Sequence, residues 1–256
     1  MPLLASEMRV LGVIPARLGS TRLPHKPLQL LAGEPLVTRV IQRVRRLGLV
    51  NDLVVATDST MVARVAELSG VRAVMTRDSH LSGTERVAEV AERPEFSGHD
   101  VVVNIQGDEP FLPRAALEGA LARVAAGDDV GTAAAPLQAG EADDPGRVKV
   151  IADAAGRALY FSRAAIPYRQ DRRKPSADLY WQHVGVYAYQ RKALAEWTRL
   201  PPAPAEEAER LEQLRALHYG LTVGVARLER PAQPGVDTPE DLRRAEAHWF
   251  VQEEVQ

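Results

Sequence analysis

The chain has 256 residues, of which 45% are hydrophobic and 26% charged, with a formal charge of −2. These values describe a globular protein with a full core, built as one large domain or one domain with a sizeable insertion, and they lack the basic excess of a nucleic-acid binder. The absence of cysteine excludes disulfides, thiolate metal sites and a cysteine nucleophile. The first residues do not have the pattern of a secretory signal, and no apolar run approaches the ~20 residues needed to cross a bilayer. The cytoplasm is therefore the expected location, with no membrane or nucleic-acid partner.

In chain order, the apolar run 10–14 stops at Pro15 and predicts a buried strand. Residues 17–27, with Gly19, Pro24 and Pro27, read as a loop. Apolar residues at helical spacing over 35–47, closed by Gly48, predict a helix. A strand at 53–56, a helix near 60–68, a strand at 73–75, a helix at 84–91, a continuous apolar strand at 101–105 and a helix at 114–125 follow. This βαβα rhythm predicts an α/β fold with a mainly parallel sheet, whose ligands sit beyond the carboxyl ends of the strands. Beyond it the pattern changes to short strands at 148–151, 158–161 and 184–189, a charged loop at 169–178, a helix at 206–217 and a last strand at 223–226. Thr238-Pro239-Glu240-Asp241 is a helix start, with Thr238 as N-cap and Asp241 at the third position.

Four segments carry candidate chemistry. The loop after the first strand sets Arg17, Arg22 and Lys26 beside the hydroxyls of Ser20 and Thr21; such a loop can cradle a triphosphate, and equally can be a solvated basic loop. The strand 101–105 runs into Gln106-Gly107-Asp108-Glu109. Carboxylates there suit a hard cation such as Mg²⁺, and the same residues suit a polar turn with Asp108 as a cap. Asp237 is not needed to start the helix after it, so it is either a second metal carboxylate or a solvated residue. Ser82, Gly83 and Arg86 open a helix whose N-terminus favours an anion, and they also read as a plain capping segment. His183, just before an apolar strand, reads first as structural.

Taken together these residues resemble the CMP-Kdo synthetase (3-deoxy-manno-octulosonate cytidylyltransferase) family. The carriers are IPARLGSTRLPHKPL, VATD at 55–58, MTRDSHLSGTERVAEV at 75–90, VNIQGDEP at 103–110, ALYFSRAAIPY at 158–168, HVGVYAY at 183–189, LEQLRALHYG at 211–220 and GVDTPEDL at 235–242. The likeness runs from about residue 9 to 247. It implies a nucleotide-diphospho-sugar-transferase-like α/β fold in a homodimer. It divides one domain into a nucleotide-binding half (about 9–135), a sugar-binding and dimerisation part (about 136–228), and a returning metal-ligand loop with the C-terminal helix (about 229–250).

The implied substrates are CTP and Kdo (3-deoxy-D-manno-octulosonate), joined by in-line attack of the anomeric 2-hydroxyl on the α-phosphorus, for lipopolysaccharide biosynthesis. By the resemblance, Arg17 and Lys26 act on the triphosphate, with Ser20 and Thr21 in the same loop. Ser82, Gly83 and Arg86 hold the nucleotide, and Gln106 lies near cytosine and sugar. Asp108 and Asp237 ligate Mg²⁺. Arg163, His183, Glu212 and Gln213 face Kdo, with Arg163 toward its carboxylate. His25 departs from the family, which often has glycine there, and 169–178 is the least family-like stretch. Alternatives are a related sugar acid (8-amino-Kdo or a sialic acid) and a nucleotide-binding regulator without turnover; the latter should lack Asp108, Asp237 or Lys26, and all three are present.

Overall fold

A computed structural model describes residues 8–20, 22–171 and 179–253. The chain forms two compact units, one of residues 9–112 with 233–253 and the other of residue 8 with 113–232.

The first unit begins with β1 (Val10–Pro15), followed by a 3₁₀ turn at Lys26–Leu28, the two-residue strands β2 (Leu30–Leu31) and β3 (Glu34–Pro35), and α1 (Leu36–Leu47). Then come β4 (Asp52–Thr57), α2 (Thr60–Leu68), β5 (Arg72–Met75), α3 (Gly83–Ala91) and β6 (Val101–Ile105). The strands run parallel in the order β6, β1, β4, β5. β6 is buried along its whole length and β1 in all but its last residue, as continuous apolar runs require when helices cover both faces. α1 buries Leu36, Val37, Val40, Ile41, Val44 and Leu47, a period-3.6 stripe in which each side chain contributes about 1.5–3 kcal/mol. Gly48 closes the helix at φ 64°, a left-handed conformation that suits glycine.

The second unit holds α4 (Arg114–Ala125), β7 (Val130–Leu137), β8 (Lys149–Ala152), β9 (Ala158–Ser162), β10 (Tyr180–Gln190), α5 (Arg191–Trp197), α6 (Pro204–Glu209), α7 (Gln213–His218) and β11 (Val223–Arg227). β7 is its central strand, antiparallel to β10 and parallel to β11. Its sequence, with Gly131 and three successive alanines, carries little β propensity and does not announce a strand. Close packing of α4 explains it: a Cβ at Gly131 would lie 1.9 Å from the Ala120 carbonyl oxygen, so only a small strand fits beneath the helix.

The predicted helix 206–217 is two helices. Arg210 takes φ 52° and ends α6, its N–H returning to the Glu206 carbonyl. Glu212 is the N-cap of α7 and Gln213 its first residue, so the two adjacent side chains leave from a helix start and not from a helix interior. α8 (Pro239–Glu253) returns the chain to the first unit. No helix among the described residues is long and apolar enough to cross a membrane.

Candidate active site

Three loops of the first unit converge beyond the carboxyl ends of β1 and β6. The loop after β1 carries Lys26 on its 3₁₀ turn. Pro27 sits inside that turn, and His25 before it adopts φ 51°, ψ 34°. This left-handed conformation is the one glycine adopts without strain and histidine adopts occasionally. The loop after β6 passes so close to β1 that a Cβ on Gly107 would meet the Pro15 carbonyl oxygen at 3.0 Å. The returning segment is registered on that loop by a hydrogen bond from Val236 N–H to the Asp108 carbonyl, 2.9 Å. Thr238 and Asp241 cap α8 reciprocally, with Thr238 N–H to Asp241 Oδ2 at 2.9 Å and Asp241 N–H to Thr238 Oγ1 at 3.1 Å, as the sequence predicts. Asp241 also accepts the Asp237 N–H at 3.2 Å, which leaves the Asp237 side chain to face the loops.

That side chain and Asp108 meet on one cation. Lys26 Nζ donates to Asp108 Oδ2 and, at 2.9 Å, to Asp237 Oδ1. Arg22 Nη2 lies 3.0 Å from the other Asp237 oxygen. Burial alone would lower the Lys26 ammonium pKa; the charges and hydrogen bonds of Asp108 and Asp237 outweigh it and hold it above its usual value. The two carboxylates lie 129 residues apart in sequence, and the first unit brings both to one ammonium.

A cavity of about 330 Å³ opens on this cluster, lined by Arg17, Ser20, Arg22, Lys26, Ser82, Gly83, Arg86, Gln106, Asp108 and Asp237 among others. Every residue predicted for the nucleotide or the metal therefore lines one cavity, except Thr21, which lies outside the described residues. Arg17 is exposed and makes no ion pair among the described residues. Ser20 Oγ accepts the Leu23 N–H at 3.4 Å. Ser82 Oγ caps α3 by accepting the Glu85 N–H at 3.2 Å, which directs the positive end of that helix into the cavity. Arg86 is buried, pairing with Asp58 at 2.8 Å and with the Thr76 hydroxyl; its guanidinium braces the wall.

The sequence offered Arg22 as one of three loop cations for a triphosphate and Asp58 as part of the VATD stretch; the fold gives each a partner. The first takes Asp237 and the second fixes Arg86. The signals were the charge of the loop and an acid at the end of a strand.

Of the residues predicted for the sugar, Gln106 belongs to the first unit and lines this cavity, while Arg163, His183, Glu212 and Gln213 belong to the second unit. Arg163 donates from Nε to the Glu209 carbonyl at 2.8 Å and from Nη1 to the Pro145 carbonyl at 2.9 Å, while Nη2 has no partner among the described residues. Glu209, which sequence reasoning did not single out, also accepts from Ser162 Oγ at 2.5 Å and the Arg163 N–H at 2.9 Å.

His183 Nε2 is 3.0 Å from Thr132 Oγ1. The Thr132 hydroxyl proton goes to the Val186 carbonyl, 2.8 Å away, so His183 donates through Nε2 and keeps a lone pair on Nδ1. Burial lowers its pKa to about 4, which leaves it neutral near pH 7. Its ring lies 5.1 Å from Tyr187, whose phenol is raised by burial and by Tyr189 and Glu212 nearby. Gln213 is buried.

Among the described residues no group of three or more His, Cys, Asp or Glu side chains forms a metal cage. Two carboxylates on one cavity wall, as Asp108 and Asp237 stand, fit the oxygen chemistry of a hard cation completed by water and phosphate oxygens.

The fold and this site define a nucleotidyltransferase of the nucleotide-diphospho-sugar-transferase type. The model of a cytidylyltransferase family matches residues 11–225. A 3-deoxy-manno-octulosonate cytidylyltransferase of Gemmatimonas aurantiaca is 53% identical over 247 residues, covering 95% of each chain. One of Methylococcus capsulatus is 45% identical over 245 residues, covering 92% of this chain and 95% of its own. A solved CMP:2-keto-3-deoxy-manno-octonic acid synthetase complexed with CTP superposes with a TM-score of 0.87 at 38% identity, covering 96% of this chain and 99% of that one. The chain belongs to the cytidylyltransferase family, among its 3-deoxy-manno-octulosonate cytidylyltransferases.

Proposed function

We propose that the anomeric 2-hydroxyl of Kdo attacks the α-phosphorus of CTP at the cavity of Lys26, Asp108 and Asp237. One P–O bond forms to the sugar and the bond to the β-phosphate oxygen breaks. CMP-Kdo and pyrophosphate leave, and the hydroxyl proton passes to solvent. The observation that carries this reading is the meeting of two carboxylates and two cations, from three loops, in the cavity that the nucleotide residues line.

Asp108 and Asp237 would hold Mg²⁺, which when bound would lower the pKa of the sugar hydroxyl and offset charge on the phosphates. Arg17 meets the triphosphate and Lys26 balances the charge growing on the departing pyrophosphate. Lys26 reaches the phosphates by swinging its flexible stem off the two carboxylates, and that movement frees the pair for the divalent ion. Ser20, Thr21, Ser82 and Gly83 present hydroxyl and backbone donors to the nucleotide, and Gln106 reads cytosine and sugar. In the second unit, the unpartnered Nη2 of Arg163 takes the Kdo carboxylate. His183, neutral, offers Nδ1 as an acceptor, and Glu212 and Gln213 bond sugar hydroxyls. The enzyme works as a homodimer in the cytoplasm and supplies CMP-Kdo for lipopolysaccharide.

The test is mass spectrometry of the products from protein, CTP, Mg²⁺ and Kdo, with 8-amino-Kdo and a sialic acid in parallel. CMP-Kdo with stoichiometric pyrophosphate is the expected result. Turnover of another acid in preference to Kdo would reassign the substrate, and no product from any acid would refute catalysis.

A further inference from the structure

Lys26, Asp108 and Asp237 come from three loops, and a hydrogen bond from the Val236 N–H to the Asp108 carbonyl ties two of those loops. Beneath them lies one apolar cluster. Leu23, Leu31 and Leu36 enter it from the segment around Lys26, Phe111 from the Asp108 loop, and Val236 from beside Asp237. Leu242, Ala245 and Trp249 complete it from one face of α8, at a spacing of three and four residues. Each loop thus places an apolar residue in the cluster within three positions of its charged residue.

A polar contact adds to this apolar packing between α8 and the Lys26 segment. The Arg39 guanidinium, from α1, donates through Nε to the Leu31 carbonyl at 2.9 Å and through Nη2 to the Ala32 carbonyl. Those carbonyls belong to the β2–β3 turn, where Ala32 and Gly33 both have positive φ, 49° and 80°, the conformation of a tight hairpin turn. The same guanidinium lies 4.3 Å from the Trp249 ring centroid, within the range of a cation–π contact. Trp249 in turn packs on Phe111 at 5.8 Å. Arg39 and Trp249 therefore join the Lys26 segment, the Asp108 loop and the helix that follows Asp237, without touching the cavity.

We propose that Trp249, clamped between Arg39 and Phe111, is a positioning residue that sets where Asp237 meets Lys26 and Asp108. The proposal rests on the reading of those three residues as the reacting site. A displacement of about 1 Å in such an array costs a large factor in rate. Loosening the clamp should therefore lower turnover before it lowers stability or substrate binding.

The experiment compares Trp249→Leu, Trp249→Phe, Arg39→Met and the Arg39→Met/Trp249→Leu double variant, reading kcat, KM for CTP and for Kdo, and Tm. Trp249→Leu and Arg39→Met should each lower kcat by about tenfold, with both KM values within about threefold of wild type. Phe at 249 should restore most of the loss, and the double variant should be no worse than about either single one, because the two residues act as a unit. The proposal fails if kcat stays within about twofold of wild type while Tm falls, if Phe rescues nothing, or if the two losses multiply. Arg39→Met reads the same clamp should Trp249→Leu not fold. Wild-type turnover by Asp108→Asn would sink the underlying site reading instead, whatever the clamp variants do.

Discussion

In the unit of residues 9–112 and 233–253, Lys26 and Arg22 end on carboxylates. In the unit of residues 113–232, Lys149 ends on backbone carbonyls. The ammonium of Lys149 is fully buried and donates to the carbonyls of Asp144, Arg147 and Arg163 at 2.9, 2.5 and 2.6 Å. Both arrangements satisfy a charge, but they differ in what can replace it. A carboxylate pair can exchange an ammonium for another cation, and an ammonium can exchange carboxylates for phosphates, so the first cluster is built to change partners. Backbone carbonyls are fixed by the fold, so Lys149 ties the 144–147 turn to the chain at Arg163. Paired charge facing a cavity marks chemistry, and charge closed on the main chain marks architecture.

That contrast breaks most readily at Asp108. Asp108→Asn keeps the shape and removes the charge; turnover should fall by about 10³-fold or more, with Tm changed by no more than a few degrees. A pyrophosphate-release assay and a melting curve on the same preparation check both halves.

The opposite pattern is expected at Lys149. Lys149→Met leaves buried carbonyls without donors and should cost about 3 kcal/mol of stability, read from urea unfolding. Any remaining folded fraction should bind CTP as wild type does.

His183 sharpens the comparison through pH. Its folded pKa of about 4 lies below the value of about 6.5 in an unfolded chain. Below pH 6.5 the unfolded state therefore binds a proton that the folded state refuses. Stability should fall as pH drops from about 6.5 to 4, by up to about 1.4 kcal/mol per unit, and level off below. His183→Gln should remove that share of the slope in melts run across this window.

The smallest effect concerns exchange at Lys26. Lys26→Met removes the ammonium that bridges the two carboxylates, so Mn²⁺ binding to the protein alone should tighten by about tenfold in calorimetry, the scale of one displaced ion pair. CTP binding should weaken in the same variant. Unchanged or weaker Mn²⁺ binding would mean that the ammonium and the divalent ion do not share a seat.

The first unit was largely legible because its elements obey local rules. β6 is a mostly apolar run and α8 opens with a Thr–Asp box; each was placed from its own residues. The site was legible as a set of separate loops, since Arg17, Lys26, Asp108 and Asp237 carry charge where turns would otherwise do. Their meeting was not, because the contacts from Lys26 span 82 and 211 residues and depend on Gly107 passing the β1 backbone.

The second unit was harder for the same reason in stronger form. β7 exists because α4 lies close upon it, and nothing in its alanines says so. The break at Arg210 puts a residue without special propensity into a left-handed conformation, which only tertiary packing decides. The resemblance turned Arg163 toward the Kdo carboxylate and said nothing of its main-chain partners, while in the fold two of its nitrogens hold backbone carbonyls.

The most direct measurement is anomalous scattering from Mn²⁺ in crystals grown with CTP. The account predicts a peak with one oxygen each of Asp108 and Asp237 at about 2.1 Å, and Lys26 Nζ turned onto the phosphates. A peak bound to the nucleotide with neither carboxylate in contact, or Lys26 still bridging Asp108 and Asp237 in that complex, would contradict it.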